Sequence, residues 1–292
     1  MRFADCVRSS IVLADGAWGT ELQKLGARFG ECIDAWNLTQ PELVRCVADS
    51  YVAAGSRVIL TNTFRANPLS LAEFDRQENC DAINRAGVKI SRQAAANKAL
   101  VFASMGPSGR GGLAKGNRTD SDLTHTFSLQ AKALASEGPD AILIETMTSL
   151  SEARIAAAAA LETGLPVVVS FFFDPGVGPR KHGTDATPES AAEILTRDGV
   201  HGIGANCGFG VREFIPLCKR MARSSPLPIW IKPNAGLPEI VQGRATYPIT
   251  SAEFARSAAE LAEAGATFLG GCCGTTPEYI RALSQQPPFT KS

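Results

Sequence analysis

Two adjacent cysteines, Cys272 and Cys273, lie between glycines in Gly270-Gly271-Cys272-Cys273-Gly274-Thr275, directly after the apolar run Ala266-Thr267-Phe268-Leu269. Neighbouring cysteines rarely bridge each other, because a vicinal disulfide is strained far from the usual Cα separation. Two thiolates leaving a strand end together make a pincer for a soft metal, and flanking glycines let the backbone bend close to an ion. A tetrahedral zinc needs at least one more ligand. Asn206-Cys207-Gly208 supplies one in a matching place, after the run Val200-His201-Gly202-Ile203-Gly204-Ala205. Three thiolates leave one position open, the mark of a catalytic rather than a structural zinc. Such a centre is a weak Lewis acid toward water, which argues against a hydrolase. It is suited to hold an incoming sulfur as thiolate at pH 7, where a free thiol of pKa about 8.5 is mostly protonated. The chemistry expected is alkyl transfer to a thiol. Asp15 and Glu145, each at the end of an apolar run, could bind an ammonium group on that thiol substrate; the alternative is a pair of carboxylates bracing the fold. Of the three histidines, His201 lies inside a strand pattern and His125 in a helical one, and His182 falls in a loop from which a further ligand could come.

The elements that must carry these residues alternate. Candidate strands are Ile11–Ala14, Arg57–Thr61, Leu100–Ser104, Ala141–Glu145, Val167–Phe171, Val200–Ala205, Ile229–Lys232 and Thr267–Gly270. Most are continuous apolar runs, as strands buried on both faces require. Helical patterns lie between them: one opened by Pro41-Glu42 and stopped at Gly55, then Ala82–Ala96, Thr126–Ala135, Glu152–Glu162, one opened by Thr187-Pro188-Glu189, one running from a Thr250-x-x-Glu253 capping box to Gly265, and one from Pro277 through Leu283. Eight strands alternating with helical patterns predict a single α/β domain over residues 1–292, a (β/α)8 barrel, with a loosely held tail at 285–292. The alternative, a doubly wound sheet, would show a dinucleotide turn after its first strand, and Asp15-Gly16-Ala17-Trp18-Gly19-Thr20 does not fit G-x-G-x-x-G. In a barrel the chemistry sits on the loops after the strands. Those loops hold Asp15-Gly16, Asn62-Thr63-Phe64, Gly106-Pro107, Glu145-Thr146, Asn206-Cys207, Lys232-Pro233-Asn234 and Cys272-Cys273.

Of the 292 residues, 45% are hydrophobic and 20% charged, enough for a sizeable core, and 29 basic residues balance 29 acidic ones. No basic block recruits nucleic acid or an anionic membrane, and no apolar run reaches the roughly 20 residues of a membrane span. The opening Met1-Arg2-Phe3-Ala4-Asp5-Cys6 has no apolar core of a secretory signal. A cytoplasmic protein with reduced thiols is expected. The other five cysteines, Cys6, Cys32, Cys46, Cys80 and Cys218, show no ligand spacing and read as small core or surface residues.

Taken together, Asp15-Gly16…Gly19-Thr20, Thr61-Asn62-Thr63-Phe64, Gly106-Pro107-x-Gly109, Glu145-Thr146 with Glu152-Ala153, Gly204-x-Asn206-Cys207, Lys232-Pro233-Asn234-Ala235-Gly236 and the double-cysteine motif resemble the homocysteine S-methyltransferase family over nearly the whole chain. That family includes betaine-dependent and S-methylmethionine-dependent enzymes and the homocysteine-binding module of cobalamin-dependent methionine synthase. The resemblance implies a barrel bearing Zn2+ on Cys207, Cys272 and Cys273, with homocysteine as methyl acceptor and its sulfur at the fourth zinc position. It implies that Asp15 and Glu145 bind the amino acid part of homocysteine, that Gly16, Thr146 and Asn206 also serve substrate binding, and that Asn206 shapes the metal loop. Ala17 departs from the family, which often has a second glycine there, as does Cys46-Val47-Ala48-Asp49, where a histidine is frequent. The methyl donor stays open between a small cation, betaine or S-methylmethionine, and a methyl-corrinoid on a separate protein. A cation would want aromatic faces, for which Trp18, Trp36, Phe64 and Phe172 are available. Loops 107–122 and 174–185 would govern donor access.

Overall fold

Runs of Val, Ile, Leu and Ala with no polar alternation must be covered on both faces, and in this chain they form one parallel sheet closed on itself. The computed structural model describes residues 3–7, 11–109, 118–173, 185–241 and 244–290. Its barrel strands are β1 (Val12–Leu13), β2 (Val58–Leu60), β3 (Leu100–Met105), β4 (Ala141–Met147), β5 (Val167–Phe171), β6 (Gly202–Cys207), β7 (Ile229–Pro233) and, after a short hairpin of β8 (Glu239–Val241) and β9 (Arg244–Thr246), β10 (Phe268–Leu269). The spatial order is β1-β10-β7-β6-β5-β4-β3-β2, every pair parallel. A bridge from Ala14 to Val58 and a hydrogen bond from the Arg57 N–H to the Leu13 carbonyl (2.7 Å) close the ring between β1 and β2. This is the (β/α)8 barrel expected from the sequence.

The helices stand where sequence signals put them, with instructive exceptions. Pro41–Ala53 turns Val44, Val47, Ala48 and Tyr51 inward. Thr187 caps Pro188–Arg197 by accepting from the Ser190 N–H, and Thr250 forms its capping box with Glu253. The helix expected from Thr126 starts earlier, at Asp120, because Thr119 and Asp122 form a capping box. The stretch expected as one helix up to Gly265 is two, Ser251–Arg256 and Ala258–Glu263, divided where the Ser257 N–H bonds the Phe254 carbonyl in a tighter i→i+3 turn. A helix at Val211–Ser224, with Pro216 inside it, and the β8–β9 hairpin were not expected from the sequence. Among the described residues no helix is long and apolar enough to cross a membrane.

The barrel interior is filled at its lower end by aromatic rings. Trp230 lies 5.6 Å from Phe102 and 5.5 Å from Phe268, and Phe3 of the first helix (Phe3–Val7) lies 5.9 Å from Phe102 and 6.1 Å from Phe268, closing that end. Cys6 and Cys218 belong to the main core, Cys32 and Cys80 to a smaller cluster with Ala35, Ala66, Leu71 and Ile83, and Cys46 is exposed. Phe289, in the tail, packs against the main core.

Candidate metal centre

Cys207 ends β6, and its own φ is +67°, a left-handed conformation uncommon for a residue with a side chain. Gly208 follows with φ +76°. This reversal turns the Cys207 sulfur toward the turn after β10, where Cys272 and Cys273 sit. Gly270 must be glycine, since a Cβ there would overlap the Asp15 carbonyl oxygen. The rim is stitched by backbone bonds: the Cys272 N–H to the Pro233 carbonyl (2.8 Å), the Ala235 N–H to that of Cys273 (3.0 Å) and the Asn234 N–H to that of Cys207 (3.2 Å). The Asn234 Nδ2 also donates to the Gly208 carbonyl (2.7 Å). The end of β7 is thus the tape that holds both cysteine loops together.

As a result the Cys207 sulfur lies 3.5 Å from that of Cys272 and 3.9 Å from that of Cys273, and all three Sγ atoms fall within 4.8 Å of one another. A tetrahedron with Zn–S bonds of 2.3 Å has an edge of about 3.8 Å. The spacing and the all-thiolate donor set therefore fit a zinc ion. Among the described residues this is the one group of three or more His, Cys, Asp or Glu side chains placed to hold a metal. As free thiols the three share charge unevenly. Hydrogen bonds from Cys207 and Cys273, and then the Lys232 ammonium, hold Cys272 well below the ordinary thiol range. The same bonds and burial push Cys207 up, and the Cys272 charge with burial keeps Cys273 protonated despite its bond with Cys207.

Behind the sulfurs is a buried polar network. The Lys232 Nζ donates to Asp15 Oδ1 (2.5 Å) and reaches the Gly16 carbonyl (3.4 Å). Asp15 Oδ2 accepts from the Trp18 indole (2.7 Å) and from the Leu60 N–H (2.8 Å), so this carboxylate ties the ends of β1, β2 and β7. Burial alone would push Lys232 down, but Asp15 and Glu145 outweigh it and its pKa is raised. Glu145 accepts from the Ser104 hydroxyl (2.5 Å). Burial pushes its pKa up to about 7, against the pull of Lys232 and with the push of Cys272. Glu145 and Thr146 lie where the β4–β5 register shifts, and Thr146 has φ +62°. Such a bulge re-aims side chains at a sheet end. Asn206 fixes it: its Oδ1 accepts from the Thr146 N–H (2.9 Å) and the Ser170 hydroxyl (2.6 Å), and its Nδ2 donates to the Thr146 hydroxyl (2.6 Å). The Asn206 Nδ2 also lies 4.0 Å from the Cys272 sulfur.

The structure brings Cys207, Cys272, Cys273 and Asn206 into direct contact, and joins Asp15 and Gly16 to the same end of the barrel through Lys232. Gly16 has no room for a Cβ, which would meet the Tyr51 hydroxyl. His201 lies at the opposite end, its Nδ1 accepting from the Val167 N–H (3.2 Å) and its ring edge-on to Phe3. His182 lies outside the described residues, as do most of the loops 107–122 and 174–185. Of the aromatic candidates, Trp18 is engaged by Asp15, Trp36 donates to Glu31 (2.8 Å), and the Phe64 ring packs where a Cβ of Gly106 would stand. Lys232, Ser104 and Ser170 were given no role from sequence; a lysine ending an apolar strand was the one available signal.

Comparison with known proteins agrees with this geometry. The sequence profile of the homocysteine S-methyltransferase family matches residues 12–286. The methionine synthase of Mycobacterium tuberculosis is 29% identical over 300 residues, covering 96% of this chain and 25% of that protein. The methionine synthase of Mycobacterium leprae is 30% identical over 294 residues, covering 94% and 24%. The chain thus spans about a quarter of the length of these relatives. In three dimensions it resembles the metallated form of the homocysteine methyltransferase MmuM from Escherichia coli, with a TM-score of 0.78, 24% identity and coverage of 96% of this chain and 98% of that one. The oxidized form of the same protein matches with a TM-score of 0.77 at 24% identity, covering 97% of each chain. The profile match over most of its length carries the assignment: the chain belongs to the homocysteine S-methyltransferase family.

Proposed function

We propose that this chain transfers a methyl group to the thiol of homocysteine, giving methionine, with Zn2+ held by Cys207, Cys272 and Cys273. The observation that carries this reading is the convergence of three sulfurs from two strand ends at tetrahedral-edge spacing. A bound zinc would supply the Lewis acidity that keeps the homocysteine sulfur a thiolate at neutral pH. The remaining work belongs to the chain. Glu145 and Asp15, with Gly16 and Thr146 beside them, face the ammonium of the amino acid, and an incoming cation favours the charged form of Glu145. Lys232 offsets the negative charge gathered by two carboxylates and three thiolates. Asn206 locks the Thr146 bulge, so that the acceptor sulfur is presented in one orientation for in-line attack. The sulfur–carbon bond forms as the bond from methyl to donor breaks, and the donor leaves with that electron pair. A centre of reduced thiols suits the cytoplasm.

A second reading is favoured by one observation, the quarter-length match to methionine synthases. In it the chain is a homocysteine- and zinc-binding module that takes its methyl group from a separate corrinoid or folate protein. The test is to incubate the purified, zinc-loaded chain with homocysteine and, separately, betaine, S-methylmethionine and methylcobalamin. Methionine formed from a small donor supports the self-sufficient enzyme. Methionine formed only when a methyl-corrinoid protein is added supports the module. No methionine in any arm, with the thiolate-to-metal absorption of the cobalt-substituted protein unmoved by homocysteine, overturns both.

A further inference from the structure

Tyr247 was not singled out by the sequence, yet it sits against the metal turn. It follows β9, whose pairing with β8 aligns Thr246 with Glu239, and the Thr246 hydroxyl donates to the Glu239 carbonyl (3.1 Å). Beyond it, the Ile249 N–H bonds the Ala235 carbonyl (3.0 Å), and the Tyr279 hydroxyl donates to the Ile249 carbonyl (2.5 Å). Ala235 is the residue whose N–H bonds Cys273. The segment Tyr247-Pro248-Ile249 is therefore a strap, pinned at both ends, that crosses the turn carrying two of the three sulfurs. A Cβ placed on Gly274 would fall on the Cγ, Cδ1 and Cδ2 atoms of the Tyr247 ring. Gly274 itself has φ +83°, so the turn takes a backbone form that only the absence of a side chain makes easy, with the ring filling the space left.

We propose that Tyr247 is a positioning residue for the metal centre: its ring clamps the Cys272–Gly274 turn and so holds Cys272 and Cys273 at ligating distance from Cys207. The clamp is the ring and not the hydroxyl, because the ring carbons make the contact. Groups that orient metal ligands typically change metal affinity by about 10–100-fold when removed.

This rests only on the three cysteines holding zinc and not on the identity of the methyl acceptor. The test is release of zinc to a chromophoric chelator from the wild-type chain and from Tyr247→Phe, Tyr247→Leu and Tyr247→Ala, together with the absorption spectrum of each cobalt-substituted protein and thermal denaturation of each metal-free chain. The expected result is Tyr247→Phe like wild type, and Tyr247→Leu and Tyr247→Ala releasing zinc about 10–100-fold faster with a weakened or shifted thiolate-to-cobalt band. Wild-type release rates and spectra in Tyr247→Leu and Tyr247→Ala overturn the proposal, as does Tyr247→Phe behaving like Tyr247→Ala. If Tyr247→Ala does not fold, Tyr247→Leu decides. A wild-type chain that binds no zinc sinks the metal site itself, which separates the two failures.

Discussion

The three sulfurs differ in charge before any metal arrives, and this difference has a measurable consequence. Cys272 is held as thiolate by its two neighbours and by Lys232, while Cys207 and Cys273 stay protonated. A zinc ion binds thiolates, so loading the chain at pH 7 should release about two protons from the sulfurs. Calorimetric titration of zinc in buffers of different ionisation enthalpy counts them; a value near three would show that Cys272 is not pre-ionised. The affinity should fall as pH falls, since protons then compete for all three sulfurs. Cys207→Ala should remove most of the bound zinc, and with it methionine formation. Zinc-dependent turnover that persists in this variant would argue against the centre.

At the scale of elements, close approach rather than propensity decides several positions. Gly204 of β6 pairs with Trp230 of β7, and a Cβ on it would overlap the Trp230 carbonyl oxygen. Gly204→Ala should therefore force the two strands apart and cost about 1–3 kcal/mol in denaturant unfolding; an unchanged midpoint would mean that the strands do not pack this closely. The loop after β2 is held by Asp34, whose Oδ1 accepts from the Arg65 N–H (2.8 Å). Burial raises its pKa from 3.8 to about 6, partly offset by that hydrogen bond. The folded state then holds this proton more tightly than the unfolded chain. Its contribution to stability is complete below pH 3.8 and is lost as pH rises through about 6. Asp34→Asn keeps the acceptor oxygen and removes the titration, so its stability should lack that decline, worth roughly 3 kcal/mol for a shift of about two pKa units. Parallel pH–stability curves for the two proteins would refute the assignment. The barrel itself was legible in the sequence because doubly buried strands read as unbroken apolar runs, and the cysteine turns because glycines flank them at strand ends. Helix Val211–Ser224 was hidden by Pro216 and by Gly208 and Gly210 just ahead of it. The Thr119 box was hidden because its partner is Asp122 rather than a glutamate. Tyr247 and Ser104 could not be read at all, and Lys232 only as a lysine ending an apolar strand: their meaning lies in what the closed barrel puts beside them.

For the molecule as a whole, the question is whether the two ends of the barrel behave as one body. The lower end is closed by Phe3, stacked on Phe268 and tilted against Phe102. The upper end holds the sulfurs, and β7 runs from one to the other: Trp230 belongs to the aromatic stack, Lys232 reaches Asp15, and Pro233 accepts from Cys272. Three residues of strand separate the stack from the metal turn by only ~10 Å. The Lys232 ammonium stands 5.7 Å above the Trp230 ring, so a disturbance of that ring has a short path to the site. Yet Trp230 packs against Phe102 of β3 and Phe268 of the neighbouring β10, two rings that also touch each other at 5.7 Å, independently of Phe3. Removing Phe3 should therefore loosen the lower end without moving Trp230. Phe3→Ala is expected to lose roughly 2 kcal/mol of stability, less than the ~3–5 of a fully buried phenylalanine because Phe3 is only partly covered. Its zinc affinity should equal that of the wild type. Denaturant unfolding and zinc titration on the same preparation test the pair of claims, and a fall in zinc affinity alongside the lost stability would show that the stack at the base, through Trp230 and Lys232, sets the geometry of the sulfurs at the rim.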